Sequence, residues 1–129
     1  MTGPSYAGAM TRLLVVKATA GADAPERCNQ AFNVAGTAAT AGVDVSFWLT
    51  GESTWFALPG RAAEFTLPHA APLPDLIELL LETGRITACT QCAARREIGP
   101  GDVLPGIRIA GAAVFVEEIM SEGAQALVY

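Results

Sequence analysis

Short β-branched apolar runs alternate along this chain with longer stretches of helical spacing. The first run, "RLLVVKAT" (12–19), ends in a Gly-rich turn and reads as a buried strand. "DAPERCNQAFNVAGTAATAG" (23–42) then places positions 28, 31, 35, 38 and 42 on one face of a helix, with Asp23 as the expected cap, Pro25 and Glu26 in the first turn and Gly42 closing it. "VDVSFWLT" (43–50) is a second strand, followed by a short element around "GESTWFALPG". A proline-rich loop, "LPHAAPLPDL", enters the next helix at Pro74. In "DLIELLLETG" the acids Asp75, Glu78 and Glu82 form a narrow stripe and the rest is aliphatic, so the helix is expected to be covered on most of its circumference, with Gly84 ending it.

"RITAC" (85–89) and "IRIAG" (107–111) read as the third and fourth strands, and "AQALVY" (124–129) as the fifth. Between the last two, "AAVFVEEIMSEG" reads as a helix with Phe115, Val116, Ile119 and Met120 inward and Glu117, Glu118 and Glu122 outward. Strands alternating with helices at this spacing predict βαβ units: a three-layer α/β/α sandwich on a parallel five-stranded sheet. The opening "MTGPSYAGAM" is small and polar, without the basic-then-apolar order of a signal peptide. It is expected to be a flexible tail over 1–11 ahead of a single domain over 12–129.

Composition sharpens this picture in two places. Of 129 residues 51% are hydrophobic and 16% charged, where about a quarter charged is usual. So few charges cover a monomer poorly, and the excess apolar surface points to a homo-oligomer. Trp55, Phe56 and the "LPHAAPLP" loop are candidates for its interface or for a pocket rim. The net charge is −5 and the arginines are scattered, so there is no basic stripe for nucleic acid. No apolar run is long enough to span a membrane. Three cysteines without an export signal point to free thiols in a reducing cytoplasm.

Each cysteine needs its own explanation. Cys28 falls on the apolar helix face and reads as a small buried hydrophobe. Cys89 and Cys92, three apart, admit four readings: a redox pair, half a metal site, a nucleophile or core filler. In an open parallel sheet, function sits beyond the carboxyl ends of the strands, and Cys89 ends the third strand there. Cys92 falls in the first turn of the helix that follows, with Arg95 and Arg96 close by, and both features lower a thiol pKa. Lys17, the only lysine, ends the first strand on the same rim and either charges that pocket or reaches solvent. A structural zinc needs four ligands and only Cys28 and His69 remain to complete a set, so the metal reading is the weaker one. His69 reads as a surface or interface residue. A thioredoxin-type pair lacks its facing cis-proline.

The block "CTQCAARREI", followed by "DVLPGIRIAG", a helix and a terminal "ALVY" strand, resembles the DsrE/DsrF-like family of small sulfur-relay proteins. The resemblance extends over residues 12 to 129 and includes the "DAPER" helix start and the "VDVSFWLTGE" strand and turn. It implies subunits that associate as trimers or hexamers, and a cysteine that carries persulfide sulfur. The family spacing, with arginines six and seven residues after the acceptor, points to Cys89 with Arg95 and Arg96. Cys92 matches the additional cysteine of the single-gene members and would serve as a resolving or second thiol. The supporting pocket would then comprise Lys17, Thr90, Arg95 and Arg96. What the resemblance implies is a cytoplasmic sulfur carrier or sulfurtransferase-like protein without cofactor or metal, exchanging sulfur with donor and acceptor proteins. The alternatives are a non-enzymatic oligomeric binding or assembly protein and a CxxC thiol-disulfide redox protein.

Overall fold

The computed structural model describes residues 12–129, so the expected tail over 1–11 lies outside the described residues. Five strands form one sheet: β1 (Leu13–Ala18), β2 (Asp44–Leu49), β3 (Arg85–Cys89), β4 (Arg108–Ala110) and β5 (Gln125–Val128). Their order is β4-β3-β2-β1-β5 and every pairing is parallel. The helices are α1 (Pro25–Thr40), α2 (Leu73–Thr83), α3 (Thr90–Arg95) and α4 (Ala112–Ile119), with a 3-10 helix at Gly51–Ala57.

Strand alternation divides the molecule into two unlike halves. Val16 and Ala18 of β1, Val45, Phe47 and Leu49 of β2, and Ile86 and Ala88 of β3 join one apolar core with α1 and α2. Phe32 of α1 anchors it, its ring 4.5 Å from Phe47 and 6.0 Å from Phe56. Each such large side chain contributes about 1.5–3 kcal/mol by leaving water. The intervening positions, among them Ser46, Trp48, Thr87 and Arg108, face α4.

Connection handedness explains why α4 takes the second face. The chain steps β1, β2, β3, β4 in one direction, then returns across the whole sheet to place β5 beside β1. A right-handed crossover in the reversed direction puts its helix on the opposite side of the sheet.

Three expectations about the helices are corrected. Asp23 does not cap α1: Ala24 precedes the first turn, and Asp23 Oδ1 instead accepts the Gly21 N–H at 2.8 Å, closing the turn ahead of it. Pro25 starts the helix, where its missing N–H costs nothing. The buried face of α1 is Cys28, Ala31, Phe32, Ala35, Gly36 and Ala39, and Gly42 ends the helix exposed at φ +89°. In α2 only Leu73, Ile77 and Leu80 are buried, while Leu76, Leu79 and Leu81 are half-covered, so less of its circumference is packed than the aliphatic pattern implies.

The third correction is the largest. Glu118 of α4 points inward, its side chain 11% exposed, whereas Val116 and Met120 point out at 51% and 75%. The reason lies on the sheet, because beside the buried Val15 this face offers hydroxyl, indole and guanidinium donors from Ser46, Trp48 and Arg108. A carboxylate satisfies these donors and a methionine cannot.

Candidate functional site

Cys89 and Ala110 are paired neighbours on β3 and β4, and the chain leaves them toward opposite faces. From Cys89 it runs through α3 to Val103 and Leu104, which pack on the α1/α2 core. From Ala110 it turns at Gly111 into α4. By the general rule for open parallel sheets, diverging exits at adjacent strand ends mark the opening on the carboxyl rim where chemistry sits. Thr90 stands exposed beside this opening, where a side chain added at Gly111 would meet its Oγ1 at 3.6 Å.

Both cysteines of the pair are free and half-buried. Partial burial of Cys89 works against its thiolate. The N–H groups of Gln91 and Cys92, the Cys92 thiol and the Lys17 ammonium outweigh it, so the Cys89 thiol is held below the ordinary 9.0. Cys28 shows the opposite case. Burial, reinforced by the Asp23 carboxylate, pushes its thiol up to about 12, and it packs as core.

The Gly51–Ala57 segment positions Cys92. Its Sγ accepts the Gly51 N–H at 3.3 Å. Gly51 has φ +52°, and a Cβ there would lie 2.4 Å from the Thr19 carbonyl oxygen, so only glycine puts that N–H where it is. The hydroxyls of Thr50 and Ser53 donate to the Ala18 carbonyl at 2.7 and 2.9 Å, tying the turn to the end of β1.

The two arginines separate. Arg96 folds onto the same turn: Nη2 lies 2.7 Å from Glu52 Oε2, Nη1 donates to the Cys92 carbonyl at 3.1 Å, and the guanidinium approaches the Trp55 ring at 5.7 Å. Arg61 covers Trp55 at 4.5 Å. Trp55 thus lines a cavity of about 220 Å³ with Glu52, Phe56, Arg61 and Phe65. Phe56 is core, packed edge-on to Phe32 and Phe65. Arg95 is exposed and reaches Gln91 on its own helix at 3.5 Å. The cation acting on Cys89 is therefore Lys17, and Arg96 serves by holding α3 to the turn. His69 is exposed in the loop before α2, in the left-handed region at φ +66°. Among the described residues no three His, Cys, Asp or Glu side chains gather as a metal site.

Sequence reasoning missed the layer beneath α4. Glu118 Oε1 accepts from Ser46 Oγ at 2.6 Å and from Trp48 Nε1 at 3.0 Å, while Oε2 pairs with Arg108 and lies 3.6 Å from Arg85 Nε. Burial raises its carboxyl, but Ser46, Trp48 and Arg108 more than offset this and hold it below the ordinary carboxylate value. Phe115 stands edge-on to Trp48 at 5.3 Å, and Lys17 Nζ lies 4.3 Å from the centre of its ring. The signal was available in the strands, where Ser46, Arg85 and Arg108 all occupy the phase opposite to the apolar core.

Among the described residues, no helix is long and apolar enough to cross a membrane. No curated protein matches the sequence. Among solved structures, the ychN protein from E. coli superposes with a TM-score of 0.72 at 14% identity, covering 93% of this chain and 100% of that one. A protein of unknown function, MTH1491 from Methanobacterium thermoautotrophicum, superposes with a TM-score of 0.61 at 13% identity over 93% of this chain and 100% of its own. At such identities the likeness concerns the fold. The sequence itself matches the DsrE/DsrF-like family model over residues 13–129, nearly its whole length, and the chain belongs to the DsrE/DsrF-like family.

Proposed function

We propose that this protein is a cysteine-based sulfur carrier that holds persulfide on Cys89. The observation behind this reading is the placement of Cys89 at the diverging strand ends, with its thiol lowered by neighbouring N–H groups, the Cys92 thiol and Lys17. A thiolate in that setting is a nucleophile at neutral pH. It attacks the outer sulfur of a donor persulfide, R–S–SH. The new Cys89 S–S bond forms as the donor S–S bond breaks, and R–S⁻ leaves with the electron pair. Delivery is the same exchange in reverse, onto an acceptor thiolate, with Cys92 as the second thiol. Sulfur-relay association of the family supports the reading. Donor and acceptor are thiol proteins on this view, the compartment is a reducing cytoplasm, and the protein works as a homo-oligomer, a trimer or hexamer.

The test is sulfur loading from a labelled persulfide donor, read by intact mass. Wild type and Cys92→Ser should each gain one sulfur on Cys89, and Cys89→Ser should gain none. No gain in wild type would end the carrier reading.

A second reading, dithiol redox, is favoured by the Cys92 thiol acting directly on Cys89. It requires both sulfurs, because the second must resolve the intermediate by exchange. A Cys89–Cys92 disulfide under mild oxidation, without sulfur loading of Cys92→Ser, would select it.

A further inference from the structure

The family chemistry concerns the cysteine, and the contacts beneath α4 lie on the face of the sheet that carries it. Lys17, Trp48, Thr87 and Cys89 share one face by strand register and alternation. Lys17 is the only lysine of the chain, and among the described residues it forms no ion pair with a carboxylate. A flexible four-carbon side chain in that setting needs something to hold its ammonium. The group that meets it is an aromatic ring, Phe115, with Nζ 4.3 Å from its centre. A ring face attracts a cation without neutralising it, so the full charge remains for a neighbouring anion.

Phe115 is itself fixed in two ways. Its ring stands edge-on to Trp48 at 5.3 Å, and Trp48 is 1% exposed. One turn along the same helix, Glu118 gathers Ser46, Trp48, Arg108 and Arg85 from β2, β3 and β4. None of the eight residues of α4 is fully buried. Phe115 and Glu118 both tie the helix to side chains of the sheet.

We propose that Phe115 is a positioning residue for the Cys89 nucleophile: clamped by Trp48 and by the Glu118 anchor, its ring fixes the Lys17 ammonium on the side of the sheet where the sulfur stands. The role rests on Cys89 as the reactive thiol but does not depend on which sulfur donor it meets. Leucine in place of Phe115 keeps an apolar contact with Trp48 and removes the cation-holding face. Tyrosine keeps the face.

The experiment follows the pH profile of Cys89 alkylation by iodoacetamide in the full chain, with the labelled site mapped by mass. No sulfur donor is present, so the result stands whether or not persulfide loading succeeds. Phe115→Leu should move the midpoint of the profile up toward 9.0 and slow neutral-pH alkylation between about twofold and tenfold. Phe115→Tyr should restore the wild-type profile. Lys17→Met should slow alkylation at least as much, and adding Phe115→Leu to it should slow it no further, since both changes remove one interaction. Continued protection of Cys28, a core thiol, certifies the fold of each variant, and Phe115→Met replaces Phe115→Leu if that protection is lost. An unchanged profile in the folded leucine or methionine variant would overturn the proposal, as would effects of Lys17→Met and Phe115→Leu that simply add.

Discussion

The two faces of one sheet are built on opposite principles. Toward α1 and α2 the strands present valine, phenylalanine, leucine and isoleucine, and the helices answer with alanine, phenylalanine and leucine. Toward α4 they present serine, threonine, tryptophan, lysine and two arginines around a single buried valine, Val15, and the helix meets them with one glutamate and one phenylalanine. The first face gains its stability from non-directional burial. The second depends on a few directional partners, each costly to lose, since an unpaired buried polar group bears its full desolvation penalty. Cys89 belongs to the second face. A nucleophile needs a polar, partly wet setting, and the dry face supplies the rigidity that holds the strand ends.

The same contrast is carried by two thiols, and it predicts the largest effect. Cys28 lies in the dry core at about 12 and Cys89 lies below 9.0. At neutral pH the thiolate fractions therefore differ by more than about a thousandfold. Brief alkylation of the native protein, followed by peptide mass mapping, should find Cys89 labelled and Cys28 intact until denaturant is added. Early labelling of Cys28 would erase the distinction between the faces.

Truncation separates the two faces energetically. Phe32→Ala removes a fully buried ring that touches Phe47 and Phe56, and should cost about 3–5 kcal/mol in denaturant unfolding. Glu118→Gln keeps the shape of the side chain and removes one charge. It should cost less, about 1.5–3 kcal/mol, the range of hydrogen bonds to charged groups. Its signature is pH dependence. The Glu118 carboxyl is lowered in the folded protein, so its contribution is present above the ordinary 4.5 and lost as pH falls through the lowered value. Glu118→Gln should flatten that acid limb of the stability curve, and a wild-type limb retained in the variant would assign the limb to other carboxylates.

The dry face was legible in the sequence and the polar face was not, for a physical reason. Burial in an apolar core requires only that hydrophobic residues recur with the right period, and Val16, Phe47, Ile86 and Phe32 do so. Parallel strands and the rim position of Cys89 follow from the same periodicity with the handedness of crossovers. Glu118 carries no such mark. In "AAVFVEEIMSEG" it is one of three glutamates, and what turns it inward is a set of donors brought from strands 10 to 72 residues away. Arg95 and Arg96 misled in a related way. Adjacent in sequence, they project from different sides of α3, and only Arg96 meets a partner across the fold, at Glu52. Cys92 was legible by spacing, but its Gly51 partner depends on a left-handed backbone that the sequence hints at only through a glycine.

Turning Glu118 inward has a consequence for the outside of α4, and it yields the smallest expected effect on the fold itself. Val116 and Met120 lie four apart on the exposed side, at 51% and 75% exposure, and β5 at the sheet edge adds Leu127 and Val128 at 39% and 64%. These are the exposed large hydrophobics among the described residues in a chain with only 16% charge; Leu127, in register with Val16, faces the α1 side, so the surface on the α4 side is Val116, Met120 and Val128. If copies of the chain associate through this surface, replacing Val116 and Met120 by glutamine removes apolar area from the interface and from nowhere else. Neither side chain supports the monomer, so its unfolding free energy should change by no more than about 0.5 kcal/mol. Light scattering should nonetheless report a lower mass for the double variant than for wild type at equal concentration. An assembled wild type whose mass survives the double substitution would move the interface away from α4, and the half-covered Leu76, Leu79 and Leu81 of α2 would be the next surface to substitute.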